Sequence, residues 1–484
     1  MTTEIAISLC LVLYGILMFG VSLFFMLRVK KASDYLVAGR GLPAFVLAGT
    51  IVATCIGTGV VIGATGLAYR HGWAGSAYPL GLGLGTIIAG LLFAVMRRFK
   101  FMTLAEEIAC YYDNNRVVVE ISNIGLFCSQ VCWLTIQIMG GAVVLGTVTD
   151  MSRETCMVIS GLATALISIP GGLKTVVYTD FLQAGILLSG FGILFYLALS
   201  QNGGYDSIVQ SVPADYLSPL GINSYGAWAV FGLMTALMLS VSSDPGRRLT
   251  MFSANSAKGA KWAMITGGII VMAFSVIVGV IGMYTYKINP NLPSADQALP
   301  WLVMNTLSPW VAAIVVVSIA SAIFSSANGN AAAAGTFFVR HIFPLVMGRF
   351  PKNPIKTVRR ALIVIFLMAI MIGFYTESIV NFVAKFLPVT MSGLAVIILM
   401  GRLWKRTTWQ GALAALIVTP VVSLIIIFLN MKGDFWSTPV IPASIAGLIA
   451  HIVISLVTPR NKRSFDEISQ EMQKSRKAIE DNKF

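Results

Sequence analysis

The stretch Ala44–Tyr69, AFVLAGTIVATCIGTGVVIGATGLAY, decides how this chain is read. It carries no charge and is long enough to cross a bilayer, which takes about 20 apolar residues. Yet Gly49, Gly57, Gly59, Gly63 and Gly66 lie inside it, among Thr50, Thr54, Thr58 and Thr65. Glycine weakens a helix by about 1 kcal/mol relative to alanine. A transmembrane helix that breaks frees backbone carbonyls, and these survive at membrane depth only when buried in protein or lining a cavity. The stretch reads either as an interrupted helix whose loose carbonyls hold an ion, or as a small-residue helix packed closely on its neighbours. The remainder of the chain tips the balance toward the first.

The surrounding composition is that of a membrane protein crossed many times. Of 484 residues, 57% are hydrophobic and 11% charged, with a mean hydropathy of +0.82. No long polar block divides the apolar segments, so residues 1–457 form one membrane domain and 458–484 a cytoplasmic tail. The run Ile5–Leu27 has no small-residue cleavage site and reads as a retained first span. Six cysteines show no metal spacing and sit mostly in apolar segments, as small hydrophobes rather than a disulfide framework.

Thirteen spans are expected, at about 5–28, 43–69, 73–96, 117–149, 154–172, 179–200, 227–250, 261–286, 304–340, 358–376, 378–401, 407–430 and 437–457. The Lys/Arg pattern agrees. Alternate loops hold Arg28–Arg40, Arg97–Arg116, Lys174, Arg247–Lys261, Arg340–Arg360 and Arg402–Arg406, and the tail continues the series. The opposite side has only Arg70, Arg153, Lys287 and Lys432. By the positive-inside rule the N-terminus is outside and the C-terminus cytoplasmic, in a multi-pass cell (plasma) membrane protein. This asymmetry accounts for the net charge of +14 without nucleic acid. The outer loops 201–226 and 287–303 carry turn residues and read as caps, and the polar tail reads as a frayed helix.

Polar groups inside spans need partners. In Gly171–Gln183, a Gly-Gly turn leads into a span with Asp180 about one turn in, either capping the helix start or serving an ion pathway. In Ser318–Phe338, spacing gathers the Ala322 carbonyl with the hydroxyls of Ser325 and Ser326, oxygens of the kind a hard cation prefers; small-residue packing is the other reading. Asp244-Pro245-Gly246 either interrupts the seventh span or ends it at the surface. Lys385 is the one lysine placed inside a span, as an anion-binding group, an outer gate or a snorkelling side chain. Spans two to six (about 43–200) and seven to eleven (about 227–401) make two five-span units, each opening on an interrupted segment. An odd count inverts one unit against the other, a pointer to a midplane substrate and ion site.

With these motifs in place, the chain resembles the sodium/solute symporters, transporters of proline, pantothenate, sialic acid and sugars. GGLKTVVYTDFLQ at Gly171–Gln183 is similar to the family's Gly-Gly-Leu…Thr-Asp…Gln pattern. ASDYLVAGRGLP at Ala32–Pro43 resembles its loop before the first repeat, and GRLWKRTTWQGA at Gly401–Ala412 its basic loop after the tenth repeat helix. The resemblance implies an all-α, leucine-transporter-type fold: a 5+5 inverted repeat with one extra helix before it and two after, about thirteen in all.

It also implies a sodium site from the carbonyls of Ala53, Ile56 and Ala322 and the hydroxyls of Ser325 and Ser326. A possible second sodium site takes Asp180 with Asn328, where some members carry serines. Substrate positions of the family match Cys55, Gly57, Val60, Gly75, Pro79, Cys132 and Lys385. This small, mostly apolar lining together with Lys385 implies a small carboxylate anion or compact amino acid rather than a sugar. The expected activity is sodium-coupled import by alternating access, with Na+ as coupling ion and the bilayer, the ion and a small molecule as partners. The protein is expected to act as a monomer and not as an enzyme. A proton-coupled transporter of the same fold is the alternative, ahead of a transporter-like membrane sensor.

Overall fold

The computed structural model describes residues 2–481 apart from 29–40, 150, 170–172, 202, 377, 432 and 437. The start of the Ala32–Pro43 motif, the Gly171-Gly172 turn and Lys432 therefore lie outside the described residues. Within them the chain is helical, and the β pairing is one isolated bridge between Leu42 and Ala254. Ten helical runs are long and apolar enough to cross a membrane, or eleven when the bent pair Ala227–Ser242 and Pro245–Phe252 is one span.

A helix stands at each of the thirteen expected positions. The first is Thr3–Arg28. The second is broken: Ala44–Cys55 ends, and a π-helical turn at Gly59–Ala64 leads into Thr65–His71. Gly72, at φ 58°, then turns the chain toward the third helix, Ala77–Phe93. Arg116–Val148, Arg153–Ser168 and Leu173–Ser200 complete the first unit. The second unit opens on the bent pair and continues with Ala257–Ile288, Pro309–Phe337 and Pro354–Phe374. Its last helix is Ile379–Leu387 joined to Gly393–Leu403 through a π turn at Pro388–Ser392. Trp409–Phe428 and Val440–Val457 follow. The ninth helix begins at Pro309 and not at 304 as its apolarity suggested. Proline fits a first helical turn, and the preceding Ala298–Thr306 forms a separate helix.

Helices two, three, seven and eight pack on one another, and helices four, five, nine and ten form a second group. The second helix bridges them, lying against the eighth, the sixth and the ninth. The first helix lies along the ninth, and the last two pair against the eleventh. The 287–303 loop does cap the core. Arg70 donates to the carbonyl of Leu292 at 2.8 Å, and Asp296 accepts the backbone N–H of Ile379 at 3.1 Å. That carboxylate satisfies one of the free N–H groups that open a helix.

The tail is not frayed. Phe465–Asp481 is a helix whose Ile468 is buried. Phe465 meets Phe99 edge-on at 4.9 Å and lies 5.2 Å from the Tyr111 ring, while Asn461 donates to the carbonyl of Tyr111 at 3.0 Å. Sequence polarity concealed this docking, because a few apolar side chains, Phe465, Ile468 and Met472, carry it, with Gln473 donating to the Phe99 carbonyl at 3.1 Å.

Helix contact in this bundle depends on missing side chains. A Cβ on Gly282 would stand 2.6 Å from the Thr65 carbonyl oxygen and 2.4 Å from Ala68 Cβ, whereas one on Gly185 meets nothing within 4 Å. Gly282→Val is expected to cost about 1–3 kcal/mol or more through overpacking. Gly185→Ala should stay within about 1 kcal/mol of the parent. Thermal unfolding of the purified variants in detergent measures both.

Candidate functional site

The break in the second helix leaves its last carbonyls without helical partners. Ile56, at φ −89° and ψ 60°, has left the helix, its N–H closing back on Val52. Two serines of the ninth helix meet the freed end. Ser325 Oγ lies 3.0 Å from the Ala53 carbonyl oxygen and 3.1 Å from that of Ala322. Ser326 Oγ lies 3.3 Å from the Ala53 oxygen and 3.2 Å from that of Thr54. Two hydroxyl protons thus face three carbonyl oxygens, a donor set rich in hard oxygen and matched to a small hard cation. The structure brings Ala53, Ala322, Ser325 and Ser326 together, and Ile56 lies in the break beside them.

Gly57 makes this approach possible. A Cβ there would stand 2.2 Å from Ser326 Oγ. On the other side of the break, the Thr58 N–H donates to Gln137 Oε1 of the fourth helix at 3.1 Å. The interruption is held from both repeats.

A narrow cavity of about 30 Å³ lies beside it, lined by Thr54, Cys55, Gly57, Gly59, Val60, Tyr78, Leu82, Trp133, Gln137, Asp244, Arg247 and Asn330. Of the expected substrate positions, Cys55, Gly57 and Val60 line this cavity. Gly75, Pro79, Cys132 and Lys385 do not. Gly75 is buried against the Ala64 carbonyl and Ala68. Pro79 is buried one position beyond Tyr78, and Cys132 sits one position before Trp133, where the helical turn of about 100° aims it away. Lys385 is exposed. The buried face of its helix is Ile379, Val380, Val383, Phe386 and Leu387, and Lys385 stands opposite.

Sequence reasoning left Asp244 and Arg247 without a role, yet they supply the charge of this cavity. Asp244 breaks the seventh helix and caps its second half. Its Oδ1 accepts from the N–H groups of Gly246 at 2.7 Å and Arg247 at 3.4 Å, and its Oδ2 pairs with Arg247 Nη1 at 2.5 Å. The helix bends by 44° there, so the Asp-Pro-Gly signal marks an interruption and not a surface stop. Gln137 and Asn330 were detectable as polar residues inside apolar spans.

A second cavity shares Thr54, Asp244, Arg247 and Asn330 with the first and adds Thr50, Val176, Asp180, Gly246, Leu249, Thr250 and Gly329. Asp180 is fully buried, and among the described residues neither carboxylate oxygen has a hydrogen-bond partner. Asn328, its expected companion, lines neither cavity. It accepts instead from Ser168 Oγ at 2.5 Å.

Arg248 points the other way. It is buried against Glu107, with Nε 3.6 Å from Oε2, and its guanidinium lies 3.6 Å from the centre of the Phe93 ring. Tyr111 donates to the other Glu107 oxygen at 3.0 Å. Burial raises the Glu107 carboxyl above its ordinary range, and the Arg248 charge opposes that rise.

A broken-helix pair heading two five-helix units, with oxygen donors and a buried charge pair at the breaks, defines a secondary transporter rather than an enzyme. Residues 35–419 match the model of the sodium:solute symporter family, and the chain belongs to that family. It is 24% identical to the sodium/pantothenate symporter of Haemophilus influenzae over 93% of this chain and 96% of that one. It is 24% identical to the sodium/proline symporter of Escherichia coli over 94% and 93%. The structure of a Na+-coupled sialic acid symporter, substrate-bound and outward-open, superposes with a TM-score of 0.79 at 16% identity, covering 94% of this chain and 99% of that one. The MhsT complex with L-phenylalanine superposes at 0.53 and 13% identity, over 85% and 97%. The leucine-transporter-type fold implied by the sequence is thereby shown.

Removing one partner of a buried ion pair strands the other. Arg248→Met is expected to cost about 3–5 kcal/mol, and Arg248→Met combined with Glu107→Leu to recover most of that. Thermal unfolding of the two variants checks it. Additive losses in the double variant would show that the two charges do not depend on each other.

Proposed function

We propose that the protein is a sodium-coupled symporter that imports a small organic solute, a small carboxylate anion or compact amino acid rather than a sugar, by alternating access. The observation that carries this is the meeting of the Ser325 and Ser326 hydroxyls with the carbonyls freed at the end of Ala44–Cys55. Sodium binds there through Ala53, Ile56, Ala322, Ser325 and Ser326, and ties the broken helix of one repeat to the ninth helix of the other. The solute occupies the cavity beside it. Ion and solute favour the same conformation, so each raises the other's affinity by the same factor. Inward opening then releases both, driven by the sodium gradient and by voltage, worth about 2.3 kcal/mol per charge per 100 mV.

One sodium per cycle is the economical reading, with Asp180 lending negative charge to the ion's path and Asn328 held by Ser168. The protein acts as a monomer in the cell membrane, N-terminus outside and tail cytoplasmic. Residues 43–200 and 227–401 form the inverted repeats. A proton-coupled cycle is the rival, and the unpartnered carboxylate of Asp180 is the observation in its favour.

Losing one ligand oxygen is expected to raise the sodium concentration for half-maximal activation by about tenfold or more in Ser326→Ala and Ser325→Ala. Uptake into proteoliposomes, titrated with sodium against potassium, measures this. Sodium dependence that survives unchanged in both variants would remove the site. Uptake driven by a pH gradient without sodium, and abolished by Asp180→Asn, would establish the rival.

A further inference from the structure

Arg247 has an open edge. A guanidinium presents five N–H donors in a rigid fork suited to bidentate carboxylate binding. Asp244 Oδ2 occupies Nη1 of Arg247. Nη2 is left with the Cys55 sulfur at 3.3 Å, a weak acceptor, and Nε has no partner. Nε and Nη2 form one side of the fork, and Arg247 and Cys55 both line the central cavity. A buried guanidinium with one donor unpartnered and another on a weak acceptor is costly unless an anion arrives to use them.

Asp244 is spent. One of its oxygens takes two backbone N–H groups and the other takes Arg247. It is the one carboxylate among the residues lining this cavity, so no uncommitted carboxylate of this lining is left to pair with an ammonium. The rest of the lining offers an apolar wall from Val60 and Leu82. It also offers two buried donors without partners, Tyr78 Oη and Trp133 Nε1. Those donors suit a second oxygen on the solute.

We infer that Arg247 is the solute-recognising residue, that its Nε–Nη2 edge takes a carboxylate, and that the solute is a small monocarboxylate without an ammonium group. This rests on reading the central cavity as the solute site of a symporter, and it narrows that reading to one of its two classes. Lys385, the basic residue the sequence offered for the same task, stands outside the cavity.

The test is thermal stability of the purified full-length protein in sodium and in potassium. The probes are propionate, lactate and pyruvate, the uncharged propionamide and lactamide, and the zwitterions alanine and proline. At least one carboxylate is expected to stabilise in sodium, and neither amide nor zwitterion. Arg247→Gln should abolish that shift while the shift given by sodium alone persists. Arg247→Lys, which keeps the charge and loses the fork, should bind the carboxylate about 10- to 100-fold more weakly. Stabilisation by an amide as strong as by its acid, or by alanine or proline alone, overturns the inference and leaves the symporter reading standing. So does the absence of any carboxylate shift in the parent protein while sodium stabilises it. A carboxylate shift of equal size in potassium does the reverse: recognition by Arg247 stands and sodium coupling falls. The comparison of acids with amides needs no variant, so it decides the matter even if Arg247→Gln does not fold.

Discussion

Everything in this molecule that bears on transport depends on one local compromise, the loss of helical hydrogen bonds at the end of Ala44–Cys55. Carbonyls stripped of partners are costly at membrane depth. Here the freed carbonyls take the hydroxyls of Ser325 and Ser326 from the ninth helix, and the freed N–H of Thr58 takes the Gln137 side-chain oxygen from the fourth. The break is therefore less a weak point than a joint, held by groups from both repeats. The same oxygens that stabilise the joint are of the kind a hard cation prefers. Under the proposed sodium site, structural satisfaction and ion binding are two uses of one arrangement, and an arriving ion competes with hydroxyl protons already in place.

The second joint, at Asp244, works with charge. Its carboxylate caps the new helix and fixes Arg247, and the next residue, Arg248, is turned about 100° around the same short helix. Two adjacent arginines thus serve different places. One lies at the cavity and the other against Glu107 and Phe93. A helix of eight residues connects the central cavity to the buried charge pair beyond it, and a tilt of that helix moves both ends together.

Much of this was legible in the chain. Apolar length and the alternation of basic loops gave the spans, because both follow from the bilayer and need no knowledge of packing. The oxygen cluster was legible in part. Ala322, Ser325 and Ser326 share a helix, and spacing alone groups them, while Ala53 joined through family resemblance. The cavity lining was harder. Cys132 and Trp133 are neighbours in sequence and differ by a third of a turn, and only the angle at which the fourth helix meets the second decides which faces in. Lys385 attracted attention as a lone charge, yet the apolar stripe of its own helix already set it outside. Arg247 was hidden by its neighbours, since an Asp-Pro-Gly-Arg-Arg run reads equally well as the end of a helix at a basic surface.

The docked tail has a bearing on how the protein is made. Phe99, Phe101 and Tyr111 belong to the first quarter of the chain, and their cover, Phe465, arrives more than three hundred residues later. Throughout synthesis of the intervening helices this aromatic cluster waits without that cover. This late helix therefore acts as a fastener, completing a surface laid down far earlier in translation. A ribosome that stops short of it leaves behind a chain with its membrane helices made and a sticky aromatic patch in view, the kind of feature by which chaperones and proteases tell an unfinished protein from a finished one.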